Sequence, residues 1–251
     1  MKKLALSFLM LALSTASFAD VAIAKTVVGV SAETSQLSNN SPDWHSESLR
    51  VARKLGQRDV KELTLTQTRR FDLTDQQISG LYVTPLSDKL TASVEANISP
   101  SHRVLAKHGI DATLQYEFAP AWLVHAGLGN KRYDSVNVNQ ASLTLEHYFS
   151  SFSVAATWRP VRALGTHASG TELRGSYYYG NANSVGFIAS SGQEATTVNA
   201  GTVLLADVRA TALLGRHWLG PQWAVNYALS HTRQGNFYNR NSVYLGAEYV
   251  F

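Results

Sequence analysis

The sequence predicts an all-β membrane protein: a transmembrane antiparallel up-and-down β-barrel of about 14 strands, with about 12 as the fallback count. Three observations carry this prediction. Segments of about ten residues alternate polar and apolar side chains. Aromatic residues gather at the ends of those segments, where a membrane–water interface would lie. The last segment is an alternating aromatic strand running to Phe251. Composition agrees, since 45% of the residues are apolar and only 16% are charged. Beyond residue 20, no run approaches the roughly 18 apolar residues that a membrane helix needs.

At the start, Met1-Lys2-Lys3 is basic and Leu4 to Leu13 is apolar. Ser17-Phe18-Ala19 supplies the small residues of a cleavage site, so 1–19 reads as a secretory signal peptide and 20–251 as the barrel domain. A second candidate site, Ala22-Ile23-Ala24, lies rather far from the apolar segment. Without Lys2 and Lys3 the charges fall to 20 basic against 18 acidic, a net of +2, with no basic cluster for nucleic acid. No cysteine is present, which excludes structural disulfides, thiolate metal sites and a lipid-anchored N-terminus.

Strands are expected near 25–37, 44–55, 60–71, 76–86, 90–98, 109–118, 122–132, 138–149, 152–162, 171–179, 185–192, 203–217, 223–233 and 239–251. The alternation is clearest in 239–251, with Val243, Leu245, Ala247, Tyr249 and Phe251 on one face and Arg240, Ser242, Tyr244, Gly246 and Glu248 on the other. The connections at 119–121, 150–151 and 219–222 read as tight. Those at 99–108, 162–170 and 193–202 read as long, which suggests short periplasmic turns, longer outer loops and periplasmic chain ends.

A soluble β-sandwich would alternate too. The aromatic pairs at the tight turns favour the membrane. Phe118 and Trp122, Phe149 and Phe152, and Trp218 and Trp223 are expected side by side on the apolar face as an aromatic girdle. Trp158, Tyr133 and Tyr238 would serve the opposite rim. Tyr244, Gly246, Tyr249 and Phe251 look like the terminal-strand signal read by the outer-membrane assembly machinery. The polar face would line the lumen with Glu95, Asp111, Glu117, His125, Lys131, Glu146, Arg159, Glu172, Arg174, Arg209, Arg240 and Glu248. Closing the 119–121 turn would place Asp111 opposite Gly129 and diagonal to Lys131, so these two charges are expected to interact.

The chain resembles the YaiO-like outer-membrane β-barrel family from about residue 27 onward. The resemblance rests on Asp43-Trp44, Arg69-Arg70-Phe71-Asp72, Ser99-Pro100, Lys131-Arg132-Tyr133, Gly192-Gln193-Glu194, Asp207-x-Arg209 and Tyr238-Asn239-Arg240, taken in order. It implies a Gram-negative outer membrane and brings no established activity. Barrels of this type also occur attached to envelope modules that look related to polysaccharide handling, and this chain carries no such module.

A hydrolase would need a serine, a base and an orienting group in reach of one another. Ser230-His231 and His45-Ser46 are adjacent, which places them on opposite faces of a strand. Asp72 and Asp75 share an outer loop but have no matching Asp–His couple of the omptin protease type. His125 reads as an interior imidazole facing Gln115, with a pH-sensitive lumen role as the sharper alternative. His102, Arg103, Lys107 and His108 share a loop that reads as solvated charge, or as a site for lipopolysaccharide phosphates or a divalent metal. Gly127 and Gly129 are expected to relieve crowding inside the barrel. No catalytic residue, cofactor or metal site is assigned. The expected function is a non-enzymatic channel or transport-associated barrel. The alternatives are an envelope structural or interaction protein and, less favoured, a lipid-modifying enzyme. Outer-membrane lipid, lipopolysaccharide and the assembly machinery are the expected partners, with no nucleic acid.

Overall fold

An alternating strand cannot be satisfied alone in lipid. Its edges carry unpaired N–H and C=O groups, and only closure removes them. The chain adopts that solution. The computed structural model describes residues 24–251 except 57, 135, 181, 200 and 201, with backbone only for 194–205. The leader read at 1–19 lies outside the described residues.

The strands are β1 (Lys25–Leu37), β2 (Trp44–Lys54), β3 (Val60–Arg70), β4 (Leu73–Pro85), β5 (Leu90–Ile98), β6 (His108–Ala119) and β7 (Trp122–Arg132). They continue as β8 (Asn137–Phe149), β9 (Phe152–Ala163), β10 (Thr166–Tyr179), β11 (Asn183–Asn199), β12 (Thr202–Trp218), β13 (Trp223–Gln234) and β14 (Tyr238–Val250). Each pairs with its sequence neighbours, and β1 pairs antiparallel with β14, giving a closed barrel of 14 strands. At the seam Val27 lies opposite Val250 and Leu37 opposite Arg240. The Phe251 N–H donates to the Thr26 carbonyl at 2.9 Å, so the ladder runs one residue beyond β14. Lys25 and Phe251 therefore share one rim, here the terminal rim; the opposite end is the far rim.

The expected strands match these spans closely, except where long loops were expected. Two of those are strand. β9 and β10 continue to a tight turn at Leu164-Gly165, with φ of 54° and 74°, and β11 and β12 continue to Asn199 and Thr202. Paired positive φ values mark the two-residue hairpin whose twist matches that of its strands, as also at Phe71-Asp72 with 51° and 60°. Loop length thus distinguishes the rims less than the sequence suggests.

Segment 99–107 is the long connection at the far rim, and it folds inward. Val104 is fully buried, and Ala106 packs with Tyr133, Val136, Val138 and Ala163. A second apolar cluster, Leu37, Trp44 and Tyr238 with Phe71, fills the other side of the same mouth. Asp75 was expected in an outer loop with Asp72. It lies instead on β4, fully buried, while Asp72 turns out to Arg69 at 2.9 Å. The Asp75 carboxylate accepts the Val104 N–H at 2.5 Å and the Leu105 N–H at 3.0 Å, and meets Arg103 Nε at 3.4 Å. Such charge-assisted bonds to backbone N–H groups hold a loop firmly. Asp75→Ala is therefore expected to release 99–107, and limited trypsin digestion of the folded barrel should then cleave after Arg103 or Lys107 faster than in wild type. Unchanged cleavage would show that the apolar cluster alone holds the loop.

Candidate functional site

Period-two alternation gives every strand an inner and an outer face. Side chains on strands two apart converge on the concave side, and the charged residues that do so alternate with exposed leucines and valines, which identifies theirs as the inner face. Arg50 on β2 meets Glu62 on β3 at 2.8 Å and, across β1, Glu248 on β14 at 2.8 Å. Glu248 in turn meets Arg216 on β12 at 2.6 Å, across β13, and accepts from Asn226 at 2.9 Å. This chain of charges lines the wall from β3 round to β12. A second group joins His125 to Glu146 at 3.0 Å and Glu146 to Arg174 at 3.3 Å, across β9. A third places Asp111 3.6 Å from Lys131, with Gln140 donating to Asp111 at 2.7 Å across β7.

Small residues make these crossings possible. Gly29 stands in register between Arg50 and Glu248, Gly129 between Asp111 and Gln140, and Ala155 between Arg174 and Glu146. A Cβ on Gly129 would lie 2.0 Å from Asp111 Oδ1, and one on Gly29 would lie 3.2 Å from Glu248 Cγ. Gly127 would meet Ser142 Oγ at 2.5 Å, so both glycines singled out in the sequence do relieve inner crowding. A Cβ on Gly246 would likewise press on the Tyr244 hydroxyl at 3.0 Å.

The remaining inner-wall candidates fall into place. Glu95 lies directly opposite Asp111, a like-charge pair with Lys131 one step away. Glu117 turns back on the 120–121 turn and accepts the Ala121 N–H at 3.2 Å. Arg159 and Glu172 approach to 3.8 Å, and Arg240 stands over Trp44 at the far mouth. Arg209 is a correction. It faces outward with Asp207 and Thr211, because the inner positions of β12 are Ala206, Val208 and Ala212, all buried. Those inner residues are apolar here, so reading apolar as outward inverted the strand. The sequence reading also missed Arg50, Glu62, Arg216 and Asn226. For Arg50 the signal was present, since Leu49 and Val51 flank it as exposed outer residues.

The outer face is apolar at mid-height, with Leu65, Ile78, Leu114, Leu128, Leu143, Leu173, Leu213 and Leu245 all exposed. Below it, on the terminal rim, aromatic rings form an almost continuous arc from β6 to β14. Phe118 lies 6.3 Å from Trp122, Trp122 stacks on His147 at 4.0 Å, and Phe149 stacks on Phe152 at 5.8 Å. The arc continues through Tyr177, Tyr179, His217 and Tyr227 and resumes with Trp223, Tyr249 and Phe251. Trp218 is not part of it. It pairs with Ala224 rather than Trp223 and turns inward, where the Arg216 guanidinium lies over its ring at 5.1 Å. That register leaves Trp223 one residue beyond the partner of Trp218, so the two tryptophans lie on opposite faces. Tyr133 and Tyr238 are buried inside the far mouth rather than on a second girdle, while Trp158 faces outward and is 52% exposed.

The serine–histidine neighbours stay apart. Ser230 faces inward while His231 faces outward and bonds Asn241 at 2.7 Å, and His45 meets Thr34 while Ser46 meets Thr68. His102 and His108 also separate: His102 pairs with Asp134 at 3.0 Å, and His108 opens β6 on the outer side. Among the described residues no group of three or more potential ligands forms a metal site.

Solved structures of similar shape are outer-membrane channels and related barrels. The CymD monoaromatic hydrocarbon channel superposes with a TM-score of 0.61 at 11% identity, over 90% of this chain and 87% of that one. OmpT of Vibrio cholerae, an outer membrane protein solved with loop L8 deleted, gives 0.52 at 8% identity, over 90% and 98%. Its in-vitro folded trimer form gives 0.50 at 8%, over 92% and 100%. At such identities the likeness concerns the fold. No curated protein sequence matches significantly. The profile of the YaiO membrane beta barrel domain matches residues 25–196, well over half of the sequence, and the chain accordingly belongs to the YaiO family of outer-membrane β-barrels.

Proposed function

We propose that the barrel is a non-enzymatic channel for small polar solutes, with its terminal rim in the periplasm and the 99–107 segment at the outer mouth. The observation that carries this reading is the inner wall itself. Charges of both signs on the described residues are tied to one another along the wall, through glycine and alanine notches, between strands one or two apart. Barrels of eight strands fill their lumen with side chains, whereas those of 16–18 hold water. Fourteen strands lie between, and charges held to the wall favour the wetter outcome. The fold shared with channel structures supports the same reading.

A second reading, a closed structural barrel, is favoured by the two apolar clusters in the far mouth. Single-channel recording separates the two. Purified protein in planar bilayers is expected to give discrete current steps, larger in Asp75→Ala. An absence of steps in both proteins would favour the structural role.

A further inference from the structure

Strand pairing sets five outward residues in one row across the wall, on the far-rim side of the apolar belt. Trp158 on β9 faces Thr171 on β10, and Thr171 faces Ser191 on β11. Ser191 faces Arg209 on β12, and Arg209 faces Arg233 on β13. All five are exposed. One outward position nearer the far rim, Gln193 donates to Asp207 at 3.1 Å. Trp158, Ser169, Ser191, Gln193, Asp207 and Arg209 border a groove of about 600 Å³ on this outer face. In the other direction, two outward positions nearer the terminal rim, Phe187, Leu213 and Leu229 face one another and are each about half exposed.

Two cations directly opposite on one sheet face repel. Among the described residues, no carboxylate lies within 4 Å of Arg209 or Arg233: Asp207 is taken by Gln193, and Arg233 Nε donates to the Gly235 carbonyl at 3.3 Å. An anion bridging the two guanidiniums would turn that repulsion into a gain, and phosphate suits their planar donor forks. The rest of the row is not built for a bare anion. It offers an indole face and two hydroxyls, which fit the apolar face and the hydroxyls of a sugar ring. The apolar side chains below the row fit acyl chains. We infer that this row docks a phosphorylated glycolipid of the leaflet at the far rim, with its phosphate between Arg209 and Arg233 and its saccharide against Trp158. The site does not depend on whether the lumen conducts, and it shares only the membrane orientation with the function proposed above.

Radiolabelled lipopolysaccharide is the probe, titrated onto the refolded barrel in detergent micelles. Wild type should retain it saturably. Phosphatase-treated lipopolysaccharide keeps the sugar without the phosphate, and phosphatidylglycerol has a phosphate without a sugar. Each should compete about tenfold more weakly than the intact glycolipid, or worse, as expected for losing hydrogen bonds to a charged group. Arg209→Gln with Arg233→Gln should weaken binding by a similar factor. Arg53→Gln with Lys61→Gln removes two facing outward cations at the terminal rim and should leave binding unchanged. Folding is checked by the band's resistance to unheated SDS. If the double arginine variant fails to fold, Arg233→Gln and Trp158→Ala, made singly, should each still show a clear loss. Unchanged affinity in a folded variant, or equal competition by phosphatidylglycerol, would overturn the site. Loss of binding with normal current steps would remove the site and keep the channel. Orientation is read separately from Asn236→Cys, in the far-rim turn between β13 and β14, with an impermeant thiol reagent on intact cells. Labelling is expected, and its absence would overturn both the orientation and this occupant.

Discussion

Glu248→Ala is expected to lower the stability of the folded barrel by about 3 kcal/mol, the scale for stripping the partner from buried charges. Glu248 holds Arg50 at 2.8 Å and Arg216 at 2.6 Å, and its side chain and that of Arg216 are under a tenth exposed. Without the carboxylate, two cations face each other with only Glu62 left to compensate Arg50. Glu248→Gln keeps hydrogen-bonding capacity and should cost less. Adding Arg216→Met to Glu248→Ala should recover part of the loss, because an unpaired buried cation is removed. Urea denaturation in detergent micelles measures all three. Equal midpoints for wild type and Glu248→Ala would show that lumen water already screens the network.

A comparable loss, about 3 kcal/mol, is expected for Gly192→Ala, at the upper end for forcing a methyl into packed structure. The added Cβ would lie 2.3 Å from Gly170 Cα and 2.7 Å from the Ser169 carbonyl, both main-chain atoms of β10. A flexible side chain could turn aside, but these atoms can yield only if β10 and β11 separate. Gly175→Ala is the matched control. Gly175 lies on the same strand as Gly170, and nothing stands within 4 Å of its added Cβ. A near-neutral Gly175→Ala beside a strongly destabilised Gly192→Ala is the expected pattern, read from the same urea curves. Equal effects would mean that glycine's backbone freedom, not close approach, governs both sites.

The barrel was legible because each strand was read by a local rule, alternation, and hairpin closure then fixed the register of its neighbours. The opposition of Asp111 to Gly129 and of Gln115 to His125 followed from one short turn. The rule failed where its premise failed. In β12 the inner face is built of alanine and valine, so Arg209 was placed on the wrong side of the wall. At the 219–222 turn the register pairs Trp218 with Ala224, a detail of turn length that composition does not reveal. Contacts between strands two apart, such as Arg50 to Glu248, depend on curvature and on a small residue between them. The inward fold of 99–107 rests on one buried carboxylate, Asp75, whose partners are backbone N–H groups that carry no sequence signature.

The absence of cysteine allows the central claim, a hydrated charged interior inside a lipid-facing wall, to be tested position by position. Single cysteines would replace the inner residues Thr113 and Ser142 and their outer neighbours Leu114 and Leu143, all near mid-height. Membranes carrying each variant would be treated with a charged, membrane-impermeant thiol reagent. Labelling at 113 and 142 with protection at 114 and 143 is the expected result. Labelling at the leucine positions with protection at the inner ones would contradict the account, for it would put water outside the wall and a dry core within.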